Sequence, residues 1–197
     1  MTFFDLKYPT ENNAWVATLG RHPEQRFDPV TEAEDFSEHK RVSLYLESWQ
    51  PREDWKPAPV CLHFKARGQK LHKLDRIFNG VVGPFISENA VEKMRPFLER
   101  QGHVLPLDVV NSDQKFYLWW LPWVEESVDL ALSEKFPDGS GIKKLVIDAQ
   151  KVSDLTAFRT HYSGMYNPSA QGKVLVSDEF RSAWHDADLT GICFVQI

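Results

Sequence analysis

The chain has 197 residues, a formal net charge of −5, 42% hydrophobic and 26% charged residues. That length buries roughly 70% of the surface the unfolded chain would expose, so a full core forms without staples, and the ordinary apolar fraction argues against disorder. The acidic balance speaks against a nucleic-acid partner, because phosphate binding rests on clustered Lys and Arg, and no stretch approaches the roughly 18 apolar residues of a membrane span.

The opening residues "MTFFDLKYPTENN" have no basic start and no long apolar run, which reads as a cytoplasmic protein without a leader. Short apolar runs at residues 3–8 and 14–19 predict two strands, the second closed by Gly20. From Arg21 to Lys40 the composition turns to Pro, Asp, Glu and His, the signature of a loop or a short exposed helix. Within it Glu32, Glu34, Asp35 and Glu38 form the most pronounced patch of one sign. Such a run is either a solvated face or a docking surface for a basic partner, where complementarity raises the association rate.

"RVSLYLESW" places Val42, Leu44 and Leu46 on one face, and "VCLHFKA" does the same with Val60, Leu62 and Phe64, so both predict half-buried strands. Between them Pro51, Pro57 and Pro59 impose an extended connection. Trp49 and Trp55 flank that polar connection, as core pieces or as interface anchors. Leu71, Leu74, Ile77 and Phe78 follow a helical spacing that ends at Asn79-Gly80. Cys61 and Cys193 stand far apart in apolar strands, where a free thiol behaves as a small hydrophobe; a single buried disulfide is the alternative.

Next comes a unit that the chain writes twice. In "VVGPFISENAVEKMRPFLERQGHVLPLDVV" and in "GKVLVSDEFRSAWHDADLTGICFVQI", an apolar strand leads into Ser plus an acid, an amphipathic stretch, Gly and a second strand. Ser87 and Ser177 are placed to cap helices whose first turns carry Glu88 or Asp178 and Glu179, where the helix dipole favours acids. Pro96 lies too deep in the first helix for a first-turn proline and predicts a kink or an early end. Between the two copies, "KFYLWWLPWVEE" is apolar on both alternating sets, which fits a strand covered on both faces or one left half-exposed for binding. "SVDLALSEKFPDGSG" predicts a helical turn and a loop, and "IKKLVIDAQKV" a further strand.

Chemistry-bearing motifs are scarce. Among them, the G-x-S-x-G elbow, the phosphate loops, H-E-x-x-H and C-x-x-C do not occur. The cluster His185-Asp186-Ala187-Asp188 offers an imidazole and two carboxylates, but a solvated helix end explains it without a metal. No catalytic residue, metal or cofactor is therefore assigned.

The blocks "KVLVSDEFRSAWHDADLTGICFVQI" and "GPFISENAVEKMRPFLERQGHVLPLDVV" resemble a group of bacterial immunity proteins from polymorphic toxin systems, long catalogued as a domain of unknown function. Members close on a strand, V-S-[DE]-x-[FL], a helix, "TG" and a final aromatic-containing strand; the resemblance runs from about Asp75 to Ile197 and rests on Ser87, Ser177 and Gly191. It implies an antidote that binds and occludes a cognate toxin. The expected architecture is α+β with a mixed, mostly antiparallel sheet, a β-rich part over 1–74 and an immunity-like part over 75–197, together one compact unit. Glu32, Glu34, Asp35, Glu38, Trp49 and Trp55 are the expected partner-binding residues. The alternatives are a hydrolase assembled from scattered residues such as His161, Tyr162 and Asp178, since triads are recognised by geometry, or an adaptor with another partner.

Overall fold

The computed structural model describes residues 2–7, 15–19, 55–64, 76–79, 84–110, 112–124, 127–138, 142–160 and 173–197. In chain order these form β1 (Phe3–Lys7), β2 (Trp15–Leu19), β3 (Ala58–Phe64), β4 (Arg76–Asn79), β5 (Phe85–Ser87), α1 (Glu88–Gln101), β6 (His103–Val109) and β7 (Phe116–Trp120). They continue with β8 (Glu134–Lys135), β9 (Ile142–Lys144), β10 (Ala157–Thr160), β11 (Lys173–Ser177), α2 (Asp178–Asp186) and β12 (Cys193–Gln196). The fold is α+β, and its strand pairs are mostly antiparallel, as expected.

Six strands close a barrel in the order β2-β3-β6-β7-β5-β4, with parallel pairs at β3–β6 and β4–β2. A second, antiparallel sheet has the order β10-β11-β1-β12. Segments from both sides of residue 74 contribute to each: β1 lies between β11 and β12, while β2 and β3 complete the barrel wall. Among the described residues no helix is long and apolar enough to cross a membrane.

The doubled unit folds alike in both places. Ser87 Oγ accepts from Ala90 N at 3.1 Å and Ser177 Oγ accepts from Phe180 N at 3.3 Å, so each serine satisfies one of the amides that a helix start leaves open. Lys93 Nζ of α1 donates to the carbonyl of Ala187 just beyond α2, and Arg100 reaches Glu179 in the first turn of α2. The two helices therefore run antiparallel, side by side.

The alternation along β1 sets up two cores. Phe4 and Leu6 face the helices with Ile86, Val91, Met94, Leu98 and Trp119, while Phe3 faces the other way with Val128, Val152, Phe158 and Leu175. In the first core the Phe180 ring stacks on Trp119 at 5.2 Å and meets the edge of Phe97 at 6.3 Å. Trp119 also donates its indole N–H to the carbonyl of Leu98, one of the acceptors orphaned at the end of α1. Gly102 makes this approach possible: a Cβ there would sit 2.3 Å from the carbonyl oxygen of Trp120.

Four sequence expectations need correction. Residues 76–79 are strand, because Arg76 and Ile77 pair with β5 while Phe78 and Asn79 pair with β2, and that barrel closure overrides the helical spacing. Helix α1 does not end at Pro96 but continues to Gln101; the ring stands on the exposed side of the helix. Cys193 is a free, exposed thiol, since β12 turns it outward while Phe194 packs inward. The strand expected over 142–152 stops at Lys144, after which a single bridge from Ile147 to Val128 continues the contact. Strand β7 resolves to the covered alternative: Phe116, Leu118, Trp119 and Trp120 are all buried.

Candidate functional site

Of the residues singled out from sequence, Glu32, Glu34, Asp35, Glu38 and Trp49 lie outside the described residues. Trp55 is half-buried and donates its indole N–H to the carbonyl of Pro106 on β6 at 3.0 Å, which ties the loop before β3 to the barrel wall. His161 and Tyr162 also lie outside the described residues. Asp178 is engaged locally: its Oδ1 accepts from Arg181 at 2.7 Å within the first turn of α2. Among the described residues no group of three His, Cys, Asp or Glu side chains is placed to hold a metal ion.

Two features among the described residues stand out. The first is the turn between Val128 and β8. Asp129 Oδ1 accepts from the amides of Ala131 and Leu132, and the Asp129 carbonyl accepts from the Ser133 amide, so the segment makes one helical turn capped by its own aspartate. Ser133 Oγ donates to the same Asp129 carbonyl and accepts from Val146 N, which fastens the turn to the neighbouring segment. A rigid mount of this kind needs a covered apolar face, yet Leu130 is 52% exposed, Leu132 69% and the nearby Phe136 44%. Large apolar side chains held in water by a braced backbone are poised to bind, because little entropy remains to be lost on contact.

The second feature is a buried cation at the junction of barrel and sheet. Beyond β7 the chain runs along β10: Arg159 N donates to Pro122 O and Val124 N donates to Arg159 O. That pairing brings the Arg159 side chain against the tryptophans, 4.2 Å from the Trp123 ring centre and 6.0 Å from that of Trp120. Arg159 Nε donates to the Leu121 carbonyl, whereas Nη2 is sealed from solvent and has no hydrogen-bond partner. Only 6% of the residue is exposed, and burial pulls the guanidinium down to about 10, so it stays charged at neutral pH. The His103 ring lies 5.6 Å from that of Trp120, tilted by 42°, and partial burial lowers its pKa.

Neither feature was anticipated from sequence. The run Val128, Leu130, Leu132 alternates beside a capping aspartate, a pattern as consistent with a packed edge as with a displayed one. Arg159 is one basic residue in "LTAFRTHY", and nothing local signals that its neighbours are aromatic. A cleft of about 270 Å³ beside Phe3, Lys144, Ile147 and Ile197 has Lys144 as its one charged side chain. It is smaller than most small-molecule sites. Comparison with protein-family models and with curated proteins finds no match for the chain.

Proposed function

We infer that this protein is an immunity protein, which binds a cognate bacterial toxin in the cytoplasm and neutralises it by occlusion. The observation that carries this reading is the braced turn that displays Leu130 and Leu132 to solvent, with Phe136 also exposed just beyond β8. Displayed apolar side chains on a braced backbone suit the centre of a protein interface, and one of standard size, roughly 1,600 Å² in total, extends well beyond them. The net charge of −5 complements a basic toxin, with Glu32, Glu34, Asp35 and Glu38 steering the encounter and Trp49 and Trp55 adding anchors. The doubled strand–Ser–acid–helix unit, which resembles immunity proteins, supplies the scaffold.

The test is growth rescue. The product of the neighbouring reading frame, expressed alone, should arrest growth, and co-expression of this protein should restore it. L132D/F136D should abolish rescue while leaving the fold intact by circular dichroism, and charge reversal at the four N-terminal acids should slow association with the purified toxin in a salt-dependent way. A non-toxic neighbour, or full rescue by L132D/F136D together with an unchanged association rate after charge reversal, overturns the reading.

A further inference from the structure

The edge of a sheet presents unpaired backbone donors and acceptors, and proteins shield it with charges, prolines, bulges or a covering segment. In this fold the barrel closes on itself, residues 122–124 cover the outer side of β10, and the β8–β9 hairpin carries Glu134, Lys135, Lys143 and Lys144. Strand β12 has none of these devices. It pairs with β1 on one side in unbroken register, and no strand of the described residues lies on its other side. Its sequence Cys-Phe-Val-Gln has no charge and no proline. Val195 is 43% exposed, and Cys193 and Gln196 are exposed with it.

The pairing with β1 fixes which backbone groups are left over. Ile197 N donates to Phe3 O, so the backbone polar groups of residue 197 point at β1. By alternation those of Val195 and Cys193 do the same, and the N–H and C=O of Phe194 and Gln196 point outward. We propose that β12 pairs antiparallel with β12 of a second copy of this chain, about a two-fold axis through Val195 and normal to the sheet, joining the two four-stranded sheets into one. In that register Phe194 of each copy faces Gln196 of the other, and each such pair exchanges both of its hydrogen bonds, so every outward group is met.

Two observations select a second copy as the occupant. The register is self-complementary: the two Val195 side chains meet at a non-hydrogen-bonded position, where facing side chains are closest, and each covers the other. A slip by one residue would set Phe194 against Val195, whose side chains belong to opposite faces of the sheet. The two ends of the strand also carry opposite charge. Lys144 lines the cleft beside Gln196 and Ile197 at the C-terminal end, whereas the exposed Asp186 and Asp188 precede the N-terminal end. Antiparallel pairing sets the acidic end of each copy towards the lysine of the other, which brings unlike charges together on both sides of the axis. This contact is separate from the displayed turn and stands whether or not that turn binds a toxin.

Sedimentation equilibrium of the full-length protein should show a monomer–dimer equilibrium. Q196P removes an outward N–H while leaving the bonds to β1 in place, so it should weaken the dimer at least about tenfold with an unchanged circular dichroism spectrum. If Q196P misfolds, V195K carries the same test, because it sets two like charges face to face at the axis. Disulfide trapping reads the register. In a C193S background V195C should oxidise to a covalent dimer, since facing Cα atoms at such a position lie about 4.5 Å apart, within reach of a disulfide. The natural protein should not cross-link, because its Cys193 faces Ile197 of the second copy. A protein that stays monomeric overturns the proposal. So does a dimer as tight in Q196P and V195K as in the natural sequence, or one that cross-links through Cys193 and not through V195C. Loss of toxin capture in Q196P of a monomeric protein overturns it too, and assigns the edge to a strand of the toxin.

Discussion

Arg159 and His103 both contact the Trp120 ring, and burial lowers the pKa of each. For Arg159 burial pulls the pKa down to about 10, which disfavours the charged form by about 3 kcal/mol. A desolvated cation–π contact offsets about 2 kcal/mol, and a charge-assisted hydrogen bond to Leu121 O about 1.5–3 kcal/mol. The terms are of one size, so the cation is tolerated where it stands. His103 is the exposed member of the pair. Its pKa in the folded protein lies below 6.5, so as the pH falls the unfolded chain takes up the proton first. The stability tied to neutral His103 is therefore fully present above pH 6.5 and is lost as the pH falls through its folded pKa. Urea midpoints measured at about pH 7.5 and about pH 5.5 should drop less for H103Q than for the natural sequence. An equal drop would mean that the Trp120 contact does not disfavour the imidazolium.

At the scale of elements, the two serine caps carry more than their surface counterparts do, because both are buried: Ser87 is 7% exposed and Ser177 1%. Removing either hydroxyl leaves a helix amide unmet out of reach of water. S87A and S177A should each cost about 1–2 kcal/mol by urea denaturation, the upper part of the range for N-caps. A loss within error for either would show that the helix is held by packing alone. These caps were legible in the sequence because a cap is a local device: Ser, an acid and an amphipathic stretch lie within a few residues of one another. The same holds for the buried face of α1, where Ala90, Val91, Met94 and Leu98 recur at helical spacing. The barrel was not legible, for the opposite reason. Strand β4 exists only because β2 and β5 flank it, and its partners lie at distances along the chain that no spacing records. Strand β10 is buried at every position, so it offers no alternation to read. The braced turn at Asp129 was read as a turn, but its display to solvent depends on which side of the neighbouring segment it lies, a fact of packing. Arg159 is the extreme case, since its neighbours come from β7 and the residues after it.

For the whole molecule, the decisive feature is that one aromatic cluster joins all three parts. Phe180 belongs to α2, stacks on Trp119 of the barrel wall, meets Phe97 of α1, and shares its core with Phe4 and Val176 of the four-stranded sheet. Strand β1 reinforces the joint, because the first residues of the chain pair between two of the last strands. Neither sheet keeps its core if the other separates: the barrel would expose Ile86 and Trp119, and the sheet would expose Phe4, Leu6 and Val176. Each large apolar side chain returned to water costs about 1.5–3 kcal/mol, so separation exposing several of them approaches the 5–15 kcal/mol that holds a whole domain together. Unfolding should therefore be a single transition. F180A, which opens a cavity at the joint, should lower stability by about 3–5 kcal/mol and move the midpoints seen by near-ultraviolet and far-ultraviolet circular dichroism together. Near-ultraviolet signal reports the packing around Trp119 and Trp184, and far-ultraviolet signal reports the backbone of both sheets. If F180A splits the two midpoints, the barrel and the sheet are separable units, and the joint is a contact between them instead of a shared core.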